Sequence, residues 1–146
     1  MLKHISRLAV LSALVATAGC DSILSPSERD LRQVGILRYQ NEPVDVTIPL
    51  TAVAGVPFDV RVRTYGTGCH HKGDIIVGAV EGGTRIEPYD YLRVNDNTCT
   101  TQLQTFEHVA SVTLSTPGAA TISVTGVAEP SRDMVRLERT VQVSAN

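Results

Sequence analysis

The chain has 146 residues, a formal charge of −2 and an aromatic content of 4% with no tryptophan. That length suits one domain of ordinary size with a real core. A near-neutral, slightly acidic balance, with no basic cluster after the first twenty residues, gives the surface no electrostatic reason to seek nucleic acid or anionic head groups. Long Leu/Ala/Glu/Lys tracts of helical type are absent after the first twenty residues, whereas Val, Thr and Ile abound.

The first element is "MLKHISRLAVLSALVATAGC". Lys3, His4 and Arg7 form a basic patch, an apolar run follows from Leu8 to Val15, and small residues from Ala16 to Gly19 lead to Cys20. This is the three-part layout of an export signal, and the apolar run is too short to stay in a bilayer as a spanning helix. Its ending resembles a bacterial lipobox. Ala18, Gly19 and Cys20 match that pattern, and Thr17 stands where Leu or Val is usual. The resemblance implies cleavage before Cys20 and lipid (palmitate among it) on the cysteine, so that the chain reaches a membrane through its N-terminal anchor. "ATA" at 16–18 also reads as an ordinary signal peptidase site, which would leave a soluble chain with a free Cys20 thiol. An exposed unpaired thiol is a liability in an oxidising space, which favours the lipidated form. Removal of residues 1–19 takes Lys3 and Arg7 and leaves 11 basic against 15 acidic residues, a net charge of −4.

Residues 20–33 are expected to be anchor and flexible tether. "DSILSPSERDLRQ" carries Pro26, three serines and mixed charge, with little to bury. A short helix capped by Ser25 or Ser27 is the structured alternative.

From Val34 the dominant period is two, the signature of half-buried strands. "PVDVTIPL" sets Val44, Val46, Ile48 and Leu50 on one face, and "FDVRVRTY" sets Phe58, Val60 and Val62 against Asp59, Arg61 and Arg63. "DIIVGAV" reads as a nearly all-apolar central strand, and "EGGT" as a hairpin turn. In "RIEPYDYLRV", Pro88 predicts an edge strand or a bulge. A bulge there turns Tyr89 and Tyr91 inward; an unbroken strand leaves them on the polar face as a recognition patch. "FEHVASVTL" aligns Phe106, His108, Ala110, Val112 and Leu114, "ATISVTG" aligns Ala120, Ile122 and Val124, and "MVRLERTVQV" aligns Val135, Leu137, Val141 and Val143.

Seven or eight short strands joined by turns predict an antiparallel β-sandwich over residues 34–146. "VAGVPFDVRV" and "TPGAATISVTG" give it the cadence of the small immunoglobulin-like modules of bacterial surface proteins, which it resembles over about residues 42–143. It departs from the antibody pattern, since Trp is absent and Cys69 lies too near Cys99 for the usual cross-sheet pairing.

"TGCHHKGD" concentrates reactive side chains: Cys69, His70, His71, Lys72 and Asp74. Cys69 and Cys99 each follow a polar or glycine-rich segment, so two loop cysteines at one end of a sandwich are expected to form a disulfide. Closing such a loop of about 30 residues adds roughly 3 to 4 kcal/mol of stability in the chain-entropy view. The alternative is a zinc or copper site drawing on His70, His71 and His108 with Cys69, Cys99 or Asp74. Adjacent histidines on an extended chain point in opposite directions, and no HxH, HExxH or CxxC supports that site. His108 on an apolar face reads as a satisfied core histidine. "NDN" at 95–97 offers oxygens to calcium, but turn formation explains it equally well. Arg61, Arg63, Arg136 and Arg139 read as solvated or cross-strand-paired charges. Neither a G-x-S-x-G elbow nor a phosphate-cradling loop occurs.

The sequence therefore predicts an exported, lipid-anchored and non-catalytic module without a cofactor. Its contact surface is expected at His70, His71, Lys72 and Asp74, with Tyr89 and Tyr91, facing an envelope protein or glycan. A periplasmic metal-binding protein using His70 and His71 is the second reading.

Overall fold

The computed structural model of the chain describes residues 30–94 and 98–146. The export segment, Cys20, most of the expected tether and "NDN" at 95–97 lie outside the described residues. Within them the chain is all-β, with ten strands and no helix. In order they are β1 (Asp30–Val34), β2 (Ile36–Tyr39), β3 (Val46–Thr47), β4 (Thr51–Val53), β5 (Phe58–Gly66), β6 (His70–Val80), β7 (Gly83–Arg93), β8 (Gln104–Val112), β9 (Gly118–Glu129) and β10 (Met134–Ser144).

Where the period of two is clean, it places the side chains as expected. Val60 and Val62 of β5, Ala110 and Val112 of β8, and Val135, Val141 and Val143 of β10 are buried, while their alternating neighbours face out. Together with Leu37, Ile86, Ile122 and Val124 they form one core. Each such aliphatic side chain contributes roughly 1.5 to 3 kcal/mol by leaving water.

The sheet is mixed and curled rather than wholly antiparallel. Three antiparallel pairs carry most of the ladder: β6 with β7, β9 with β10, and β5 with β8. The first two are hairpins, and Gly82, at φ 73°, supplies the left-handed residue that the β6–β7 turn requires. Parallel pairing joins β7 to β9, β2 to β9, and β4 to β10. β7 and β9 pair from Gly83↔Thr121 to Ile86↔Val124. Beyond that point β7 takes β1 as its partner and β9 takes β2. Gly35 sits where the two ladders divide: its N–H donates to the Pro88 carbonyl at 2.8 Å, and its own carbonyl accepts from Val127 at 3.1 Å. A Cβ at this glycine would stand 2.6 Å from Cγ2 of Thr64, so only glycine fits the junction.

Four expectations are corrected. Asp30 to Gln33, expected in the tether, belong to β1; its ladder to β7 holds it with little side-chain burial, so no period marks it. "DIIVGAV" is not central. Among the described residues β6 pairs with β7 alone, and Ile76, Val77 and Val80 are each more than 40% exposed. Leu50 is likewise exposed, while Val44, Val46 and Ile48 do pack on the core. Finally, β7 is neither an edge strand nor bulged at Pro88. The extra residue lies in β6, where the register shifts between Lys72 and Ile75. Alternation in β7 thus runs unbroken: Thr84, Ile86, Pro88 and Asp90 point inward, and Arg85, Glu87, Tyr89 and Tyr91 point outward.

Candidate functional site

The "TGCHHKGD" segment begins with a tight turn between β5 and β6. The His70 amide donates to the Thr67 carbonyl at 2.7 Å, and the Thr67 amide donates to Nδ1 of His70 at 3.1 Å. His70 is therefore engaged in closing its own turn. Gly68 donates to the Thr100 carbonyl at 2.9 Å, which ties this turn to the segment after Cys99. Cys69 is buried, and its Cα lies 5.0 Å from that of Cys99, at disulfide distance.

His71 points the other way, as adjacent residues of a strand must. It lies on the outer face of the sheet, opposite Tyr91, and the two rings stack with centroids 5.5 Å apart. Nε2 of His71 is 3.4 Å from Oδ2 of Asp30 on β1. One step along the same face, Arg32 of β1 grips Asp74 with two hydrogen bonds of 3.0 and 2.7 Å. Its guanidinium carbon also lies 3.4 Å from the centroid of the Tyr89 ring. Hydrogen bonding to Arg32 holds the Asp74 carboxyl below its ordinary 3.8, and the same contact raises Arg32. The Tyr89 hydroxyl donates to Glu87 at 3.2 Å, and Glu87 in turn meets Arg85 at 3.3 Å. The bulge in β6 is what swings Asp74 to this face.

Of the expected contact residues, the structure brings together His71, Asp74, Tyr89 and Tyr91. Lys72 is exposed but pairs with the inward-pointing Asp90, so it leaves from the other side of β6, and His70 turns away into its loop. Asp30, Arg32 and Glu87 complete the face; Asp30 and Arg32 were not expected there because β1 carried no strand signal, and Glu87 of β7 was not singled out.

On the inward side of β7, directly behind this face, lies a buried polar cluster. Nε2 of His108 is 3.0 Å from Oδ1 of Asp90 and 3.1 Å from Oγ1 of Thr64; none of the three is more than 2% exposed. The Gly73 amide, at the bulge, donates to the same carboxylate oxygen at 3.4 Å. Oδ2 of Asp90 has no hydrogen-bond partner among the described residues. His108 is thus a core histidine with partners, as its strand position predicted. Hydroxyl and carboxylate meet the same ring nitrogen, whereas a Ser/His/Asp relay needs them on opposite nitrogens. Thr64 and Asp90 escaped the sequence reading, although both occupy core-facing positions of their strands.

The histidines are dispersed: His70 in the turn, His71 on the outer face and His108 in the core. Among the described residues no group of three or more His, Cys, Asp or Glu side chains is placed to hold a metal ion. Arg61, Arg63 and Arg136 form surface ion pairs with Glu107, Asp45 and Glu138. No protein-family model, curated protein or solved structure matches the chain.

Proposed function

We propose that the protein is an exported, lipid-anchored and non-catalytic module, which presents the outer face of β1, β7 and β6 to a partner at the cell envelope. The observation that carries this reading is the placement of Cys69 and Cys99 at disulfide distance. Of the chain's three cysteines, that pairing leaves Cys20, directly after the small residues of the export segment, as the one available to lipid. A disulfide also suits an oxidising compartment.

The domain belongs with immunoglobulin-like modules in this reading. The pairings of β5 with β3 and β8, and of β10 with β4 and β9, support such a two-layer plan, with the early strands divided between the groups; β2, which pairs with both β5 and β9, bridges them. The parallel meeting of β7 with β9 is a departure from that plan. The His108 cluster is buried, with none of its three residues more than 2% exposed, which fits a structural part for it in this reading.

A photo-reactive residue at His71, in the full chain in its own membrane, tests the contact face. The expected result is a discrete cross-linked product at that position and none from Met134, which is exposed on β10. Equal capture at both positions, or none at His71, removes this face from the reading.

A further inference from the structure

We infer that the protein associates with a second copy of itself through the free edge of β6, the two strands pairing antiparallel about Gly78. Among the described residues β6 has β7 as its one ladder partner. An open edge leaves backbone N–H and C=O groups ready to pair with another strand, and folded proteins guard such edges with lysine, proline, bulges or charge. β6 carries these devices only in its first half, where Lys72 precedes the bulge at Gly73 and Asp74. From Ile75 to Val80 it reads Ile-Ile-Val-Gly-Ala-Val, without a charge.

Both faces of this half are apolar and open. Ile76, Val77 and Val80 are 42%, 42% and 44% exposed, and a Cβ at Gly78 would meet nothing within 4 Å. Ala79 and Val80, with Thr113, Leu114 and Pro117, line a groove of about 410 Å³ beside the end of the strand. The last residues of β6 therefore have room for a neighbour.

The strand's own sequence identifies that neighbour. Two identical strands paired about a two-fold axis must place one residue opposite its own copy, because hydrogen-bonded and non-bonded pairs alternate along the ladder. Centring on Gly78 sets Ile76 against Val80 of the second copy and Val77 against Ala79, and symmetry repeats both pairs. The exposed Ile76 and Val80 then cover each other on the outer face. Asp74 falls opposite Gly82 of the turn, so no like charges meet. Centring on Val77 instead would set Asp74 against Val80 and Ile76 against Gly78, which wastes both apolar side chains. A single pair of strands covers less than the roughly 1,200 Å² at the lower end of stable interfaces, so the association is concentration-dependent.

The test uses Gly78→Cys in the full chain, which places two thiols face to face on the axis. Under mild oxidation it is expected to give a dimer linked through residue 78, formed several-fold faster than one from Met134→Cys. In sedimentation over a concentration series, Ile76→Lys with Val80→Lys is expected to weaken self-association by about tenfold or more with the melting temperature unchanged. Cross-linking at residue 78 no faster than at 134 overturns the proposal, as does a wild-type chain that remains monomeric at every concentration. That outcome leaves the edge to an extended segment of another protein. Self-association that survives both lysines also overturns it.

Discussion

A carboxylate on a strand whose other inward positions are Thr84, Ile86 and Pro88 must find a donor, because burying an unpaired charge costs several kcal/mol. Asp90 finds His108, and His108 shares its bonded nitrogen with Thr64. Removing one member of a buried pair leaves the other without compensation. Asp90→Ala is therefore expected to cost about 3 kcal/mol in urea unfolding at neutral pH. A loss below about 0.5 kcal/mol, the range of ordinary surface changes, would mean that the pair contributes little. Asp74 poses the opposite case. Its carboxyl is held below 3.8 by Arg32, so whatever stability the contact adds is present above that value and is lost as pH falls through the lowered one. The pair is half-exposed, and salt screens it. An NMR titration should place the Asp74 midpoint below 3.8 and show it rising in Arg32→Gln; a midpoint unmoved by that change counts against the contact. Sequence periodicity placed His108 in the core and sent His70 and His71 in opposite directions. It could not supply Asp90 as a partner, since that contact spans 18 residues and two strands.

Among the elements, β5, β8 and β10 were legible because each packs one face and wets the other. β6 misled for a related reason: an unbroken apolar run implies burial on both faces, but here it lies along an open edge. β1 left no trace in the hydrophobic pattern, since its ladder to β7 holds it more than burial does. Pro88 announced a disturbance, and the disturbance fell on the opposing strand instead. Gly35 is the element-level feature with the sharpest consequence. It joins β1 to β2 and bonds both arms of the divided sheet, with Thr64 and Pro88 packed against the place a Cβ would take. Gly35→Ala should destabilise the fold by about 1 to 3 kcal/mol through overpacking. A thermal melt matching that of the wild-type chain would contradict this account of the junction.

For the molecule as a whole, strand content and turn positions were open to a reading of local pattern, and the all-β class followed from them. Parallel pairing of β7 with β9 was not, because it depends on how the β6–β7 hairpin lies against a strand 35 residues further on. The candidate face was half legible in the same way: "TGCHHKGD" and the two tyrosines were in view, while Arg32 and Asp30 arrived with an unforeseen strand. The functional proposal unites that face with an anchored N-terminus and a cross-linked loop. An intact mass of the protein, expressed with its own export segment and extracted from membranes, measured with and without reductant, tests it most directly. The account predicts a chain that starts at Cys20 and carries a lipid increment, and that gains the mass of one pair of hydrogens only on reduction. A chain without lipid that starts after Ala18, or one whose Cys69 and Cys99 are already free thiols, would contradict it.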